Sequence, residues 1–343
     1  MNYFIYIDKI LALRTNLNKF SWLYGTLAPK ATCSEYENCR IKIDLDVCSS
    51  KDVFEKDFNP YDFLKFHYFY AKENENKIYY ERKVIGSFKL RYSIAIKENT
   101  ITVKASRGYM KFIKYRFMGL HSMSHILSDI VSALLLKNSF ATVYCSAVSK
   151  DDKTLLTFSA PNTGKTITSI RLCENWGFNF MSEDIALTDG QNVWAVPWTS
   201  TFRCYGNLGK TRSKLIDKII NRIPFLSTIP VRKRTIFDYL GDNRIKNMSI
   251  ATNLVILERG HSRENCNKES GIQKIKNFQR YLLYYHKSPA LIAMDYFNSN
   301  FPVEELIEKE NEIITKLMEK CDYICLREDN VFKYSDLILE KIG

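Results

Sequence analysis

The segment TLLTFSAPNTGKTITSI, residues 154–170, decides how the whole chain is read. An apolar run ends at Ser159, a turn of small residues follows, and Gly164-Lys165-Thr166 opens a stretch with helical spacing. A Walker A loop is written G-x-x-x-x-G-K-[ST], between a strand and a helix. Each part has a task. Consecutive backbone N–H groups wrap phosphates, the lysine reaches the terminal phosphate oxygens, and the hydroxyl ligates Mg²⁺. The helix N-terminus adds partial positive charge. Counted back from Lys165, Gly164 and Thr166 match, and Ser159 stands where the first glycine would be. Serine suits a tight turn while φ stays negative, and Asn162 belongs to the residues that accept positive φ. The spacing points to a phosphate-binding loop in which Asn162, Thr163, Gly164, Lys165 and Thr166 surround the phosphates.

One helical stretch downstream, the apolar segment FNFMSED ends in Glu183 and Asp184. Phosphoryl chemistry needs a carboxylate close to the metal, often at the end of a strand beside the loop's own strand. A pair of acids there suits a kinase, one holding Mg²⁺ and the other taking the acceptor's proton. A solvated strand end is the bland alternative.

Working outward, KTITSIRLCENW (165–176) places Ile167, Ile170, Cys173 and Trp176 on one side of a helix, with Gly177 as its stop. FATVYCSAV (140–148) and KTLLTFSA (153–160) read as buried strands. FNFMSEDIALTDGQNVWAVP reads as strand, turn at Asp189-Gly190, and strand. GLHSMSHILSDIVSALLLKN (119–138) has helical apolar spacing and carries His121 and His125 four apart, the spacing of two metal ligands. Without a third ligand, packed or capping histidines are the better reading. KLIDKIINRI (214–223) reads as a helix, NLVILERG (253–260) as a strand, and the C-terminal segment as helix, strand, helix.

Residues 1–112 read as a β-rich N-terminal domain with a hairpin turn at KENT (97–100), and no cluster of chemical groups stands out in it. Residues 113–343 read as α/β, so the chain is α/β in class and α+β overall. At 343 residues, 45% hydrophobic and 26% charged, it can bury a large core. No apolar run is long enough to span a bilayer, and the start lacks a basic region and a cleavage site, so neither a membrane nor a secretion signal is expected. Nine irregularly spaced cysteines without a Cys-x-x-Cys pair fit reduced thiols in a cytoplasm. The net charge of +12 favours a polyanionic partner or none at all, and runs such as VRKRT (231–235) are more often solvated faces than binding strips.

The three segments SAPNTGKT (159–166), ENWGFNFMSED (174–184) and VWAVPWTSTFR (193–203) together resemble the HPr kinase/phosphorylase family and the phosphoenolpyruvate carboxykinase-like phosphate-loop fold behind it. The tail CDYICLREDNVFKYSDLILEKI (321–342) is similar as well. The resemblance implies a β-rich region followed by a phosphate-loop kinase core, and ATP and Mg²⁺ as cofactors. Thr163 to Thr166 would bind phosphates, Thr166 and Asp184 would hold Mg²⁺, Glu183 would be the acid/base, and Arg203 would lie near the transferred group with Pro197 before it. This chain departs from the family at Ser159, at Pro161-Asn162, at Glu183 in place of an aspartate, and at Tyr144-Cys145 in place of a histidine.

The resemblance implies a kinase acting on a hydroxyl of a peptide, a protein or a small molecule, with an acidic acceptor matching the basic charge. Stand-alone relatives in peptide natural-product pathways make a precursor-peptide serine one such acceptor. HPr itself is not expected, because no docking helix for it is recognisable. A nucleotide-binding module without transfer and a nucleic-acid-linked ATPase are the rival readings, the latter without helicase-type motifs to support it. Homo-oligomerisation is left open.

Overall fold

The computed structural model describes residues 1–343 except 27, 57, 74, 85, 113–120, 199–235, 237–239, 261–266, 284, 299–300 and 343. Arg203, the basic segment 231–235 and the expected helix at 214–223 lie outside the described residues.

Alternation builds the first sheet. In TITVKAS the residues Ile101, Val103 and Ala105 are buried while Thr102 and Lys104 face outward, the period of a half-buried strand. Its strands are β1 (Asn2–Ile7), β2 (Leu11–Thr15), β3 (Lys30–Ala31), β4 (Ile41–Cys48), β5 (Leu64–Phe66), β6 (Phe69–Ala71), β7 (Lys77–Lys83), β8 (Lys89–Lys97) and β9 (Thr100–Ser106). They run in the order β3-β1-β2-β4-β9-β8-β7-β6-β5. The β8–β9 hairpin turns at Glu98 and Asn99, as KENT predicts, with Glu98 at φ 52°. Two short helices, α1 (Cys33–Glu37) and α2 (Arg107–Phe112), flank this sheet.

Helix α3 (Met123–Lys137) is apolar on nearly every side, and such a helix must be buried all round. Leu127, Ile130, Val131 and Leu134 share one core with Ile43, Val103 and Ile94 of the first sheet, and with Ala141, Ile185 and Leu187 beyond it. Tyr24 from the N-terminal region ties the junction together, its hydroxyl lying 3.0 Å from both Ser132 Oγ and Thr142 Oγ1. The two halves of the chain therefore share a hydrophobic core.

The helix starts later than the histidine spacing predicts. Ser122 caps it, accepting from the His125 backbone N–H at 3.2 Å, and the same hydroxyl lies 2.9 Å from His125 Nδ1. His121 precedes the cap and offers its carbonyl to the Tyr109 hydroxyl at 2.6 Å. His125 thus sits at the cap, and the two histidines do not share a helical face.

The second sheet runs β10 (Ala141–Val143), β14 (Ala186–Thr188), β15 (Asn192–Trp194), β16 (Met248–Glu258), β12 (Lys153–Ser159), β11 (Ser146–Lys150), β13 (Asn179–Ser182), with β17 (Asp322–Arg327) also on β16. Strands β12, β16 and β17 form a parallel trio. Helices α4 (Lys165–Trp176) and α8 (Tyr334–Ile342) pack Ile170, Cys173 and Ile338 onto one face. Helices α5 (Lys268–Leu282) and α7 (Val303–Lys320) pack Ile275, Ile314 and Leu317 onto the other. A further helix, α6 (Pro289–Asn298), joins the core around α3. Coverage on both faces accounts for the apolar runs of the parallel strands. The architecture is mixed α/β. Among the described residues no helix is long and apolar enough to cross a membrane.

Two local expectations differ from the structure. The segment FNFMSEDIALT is not one strand: it breaks at Glu183–Ile185 into β13, which pairs with β11, and β14, which pairs with β10. On α4, Trp176 is 45% exposed, because the buried face is carried by Ile170, Leu172 and Cys173 with Thr166 and Ser169.

Candidate functional site

Three chain segments meet at one edge of the second sheet because of strand direction. Strand β12 delivers the 159–166 loop at its C-terminal end. Strand β11 runs antiparallel to it and therefore begins at that edge, just after Tyr144 and Cys145. Strand β13, antiparallel to β11, ends there with Ser182, Glu183 and Asp184. A crevice outside the carboxyl ends of parallel strands is where open α/β sheets place their ligands.

The loop turns on two residues with positive φ, Asn162 at 62° and Gly164 at 117°. A Cβ at Gly164 would also meet Val331 at 3.0 Å, so both conformation and packing demand glycine. Ser159 is fully buried and its hydroxyl donates to the Ala160 carbonyl at 3.0 Å. Arg259 donates to the Asn162 carbonyl at 3.3 Å from the end of β16. Helix α4 then begins at Lys165 with Gly164 as its N-cap and no side-chain capping bond. The first N–H groups of a helix have no acceptor within it, and an anion is one acceptor that suits them.

Lys165 is 6% exposed. Its Nζ donates to the Tyr144 hydroxyl at 3.1 Å and to the Ser159 carbonyl at 3.3 Å, and lies 4.2 Å from the centre of the Tyr144 ring. Among the described residues no carboxylate comes within ion-pair distance of it. Burial holds its pKa below the ordinary lysine value, while the charges of Asp184, Cys145 and Glu183 pull the other way. The Tyr144 hydroxyl is pushed up, first by burial and then by Asp184 and Glu183, so it remains a neutral phenol.

The two acids occupy different surroundings. Glu183 is fully buried and accepts from Thr166 Oγ1 at 3.0 Å, whereas Asp184 is half-buried. The sequence reading pairs Thr166 with Asp184; in the structure the carboxylate on that hydroxyl belongs to Glu183. Just upstream, Ser182 Oγ accepts from the Val196 N–H at 2.9 Å, which fixes the end of β13 against the segment leading to buried Pro197. Thr163, Gly164, Lys165, Thr166, Glu183 and Asp184 are therefore brought to one edge, while Arg203 is not among the described residues.

Sequence spacing gives no role to Tyr144 or Gln279. Gln279 of α5 is 2% exposed, donates to the Thr142 carbonyl at 2.8 Å and accepts from the Tyr144 backbone N–H. It holds the chain where β10 gives way to β11, and so it sets where the Tyr144 ring lies. The tyrosine interrupting FATVYCSAV is the one signal the sequence offers for this break; the glutamine offers none. A Mg²⁺ would find Thr166 Oγ1 and a carboxylate side by side. Among the described residues no group of three or more metal-ligating His, Cys, Asp or Glu side chains forms a site.

No protein-family model matches the chain, and no curated protein matches it. Among solved structures, the Hpr(Ser) kinase/phosphatase from Coxiella burnetii aligns at 11% identity and a TM-score of 0.25. The alignment covers 37% of this chain and 64% of the length of that protein. A likeness this loose supports neither a fold nor an activity.

Proposed function

We propose that the chain is an HPr kinase-like, ATP- and Mg²⁺-dependent kinase that transfers a γ-phosphoryl group to a hydroxyl of an acidic peptide, protein or small molecule. The observation that carries this reading is Lys165: a buried ammonium that, among the described residues, has no carboxylate at ion-pair distance, at the start of a helix whose N-cap Gly164 makes no side-chain capping bond. Burying a cation without a counter-charge is costly, and an anionic ligand at the helix N-terminus would relieve the cost. The residues fit a nucleotide's phosphates: a glycine-dependent loop, a lysine, a hydroxyl and two acids on one sheet edge.

Bound Mg²⁺-ATP would supply the phosphoryl group and the metal's charge stabilisation. The chain's own part is to hold and orient. Backbone N–H groups of 162–166 would cradle the phosphates, and Lys165 would turn from Tyr144 and the Ser159 carbonyl to the phosphate oxygens. Thr166 and the buried Glu183 would face the metal. Asp184, half-buried beside them, would accept the proton of the attacking hydroxyl. Arg203 would stabilise charge on the transferred group. This exchanges the roles that the family resemblance gives to Glu183 and Asp184.

The two acids test the assignment. Glu183→Gln should weaken Mg²⁺-ATP binding in calorimetry. Asp184→Asn should leave the affinity close to that of the parent while slowing ATP consumption by about 10²–10⁴-fold. The opposite pattern would return the metal to Asp184. A second reading, a nucleotide-binding module without transfer, draws on the contacts that already occupy Lys165. It predicts Mg²⁺-ATP binding with no ATP consumption in the parent.

A further inference from the structure

A second cavity of about 380 Å³ lies on the first sheet, and no residue lining it belongs to the 159–166 loop, β12 or β13. Its floor follows from register. Phe69, Tyr80 and Tyr92 are direct cross-strand partners on β6, β7 and β8, so their rings form a row on one face. Tyr80 and Tyr92 stack with centroids 4.5 Å apart and planes 8° from parallel. Tyr109 of α2 closes one side, its ring 5.0 Å from that of Tyr92. The starts of α3 and α6 close another, and the β5–β6 turn with exposed His67 and Tyr68 forms the rim.

Two features give the cavity chemical direction. Arg82 follows Tyr80 by two residues on β7 and so lies on the same face, with its guanidinium 4.8 Å from the centre of the Tyr68 ring. The intervening Glu81 points to the opposite face and bonds Lys89 and Arg91, and among the described residues no Asp or Glu lines the cavity. The second feature is the Tyr92 hydroxyl. Tyr92 is 1% exposed and lines the cavity, where it adds a phenol to the aromatic row.

We propose that this cavity binds a small aromatic carboxylate. Its ring would lie against the Phe69-Tyr80-Tyr92 row, its anionic head on Arg82, and a polar substituent within reach of the Tyr92 hydroxyl. The volume falls in the range of small-molecule sites, about 300–1,000 Å³, which are mostly apolar with a few placed polar groups. Arg82 is held over Tyr68 and presents a planar fork matched to a carboxylate. The aromatic walls favour a ring, which gains from offset or edge contacts with them. This site is separate from the proposed nucleotide edge and does not depend on that reading.

The test uses 6-hydroxy-2-naphthoate as a fluorescent probe and its neutral amide, 6-hydroxy-2-naphthamide, as the comparison, both titrated against the full chain. The acid should bind one-to-one and about tenfold or more tighter than the amide, the worth of a hydrogen bond to a charged group. Arg82→Met should remove that preference, Tyr92→Phe should weaken the acid several-fold, and excess Mg²⁺-ATP should leave the probe bound. Equal binding of acid and amide by the parent would overturn the proposal, as would displacement of the probe by Mg²⁺-ATP. Because the acid–amide comparison needs no substitution, it stands even if a variant does not fold.

Discussion

Charges on the first sheet and at the loop edge of the second are treated in opposite ways. On β7 and β8, Glu81 meets Lys89 at 2.8 Å and Arg91 at 2.6 Å, and elsewhere in that sheet Arg14 meets Asp44 at 2.6 Å. Even within the second sheet, Glu258 is neutralised by Arg327 at 2.7 Å and by Lys274. Lys165, more deeply buried than any of these cations, meets a phenol, a carbonyl and an aromatic face instead. Those framework charges are ion-paired; among the described residues Lys165 has no carboxylate at ion-pair distance, and the proposed function gives its charge to a bound phosphate. A buried charge held against the local rule is the ground on which the functional site is proposed.

The sharpest way to break this contrast is to remove the lysine. Lys165→Met keeps much of the side-chain volume and eliminates the buried charge. ATP consumption should fall to background while the melting temperature stays level or rises by a few degrees, since replacing a poorly compensated buried ion with an apolar side chain is often stabilising. A fall in melting temperature together with full turnover would remove the basis of the comparison.

The same substitution logic applied to a paired charge should behave oppositely. Glu81→Gln leaves Arg91 and Lys89 without their counter-charge and should destabilise by about 1–2 kcal/mol, discounted for their partial exposure. ATP consumption should not change. Thermal unfolding and turnover of the one variant check both halves. The Glu81 carboxyl lies below its ordinary pKa, because Lys89 and Arg91 outweigh the opposing effect of its burial. Its contribution is therefore present above the unfolded carboxylate value and is lost as the pH falls through the folded one.

An effect of pH is expected at Glu310 on α7. Burial raises its pKa to about 7 against the hydrogen bond from Tyr285 at 2.8 Å and the charge of Arg280. The folded chain then holds a proton that the unfolded chain releases between its ordinary value and about pH 7. Stability should be full below the unfolded value and should decline as the pH rises through that window. Glu310→Gln should flatten the decline, as followed by melting temperature from pH 5 to pH 8.

Much of the loop edge is legible in the sequence because its signals are local. An apolar run, a Gly-Lys-Thr and a helical repeat specify strand, turn and helix within one short segment, and Glu183-Asp184 falls one helix later. What joins these pieces is not local. The contact of Glu183 with Thr166 depends on β13 ending beside the start of β11, and the break between β13 and β14 is hidden in a segment that reads as one strand. Gln279 reaches Tyr144 from a distant helix with no motif to announce it. The aromatic cavity is silent for the same reason: Phe69, Tyr80 and Tyr92 become one surface only when three strands take their register. His121 and His125 show the converse, a suggestive spacing dissolved by the Ser122 cap.

The most direct test of the central claim is a calorimetric titration of Mg²⁺-ATP into the parent and into Lys165→Met under the same conditions. The account predicts one-to-one binding by the parent and loss of that binding in a variant that melts at or above the parent's temperature. Equal affinity in the two proteins, or no binding by the parent, would contradict it.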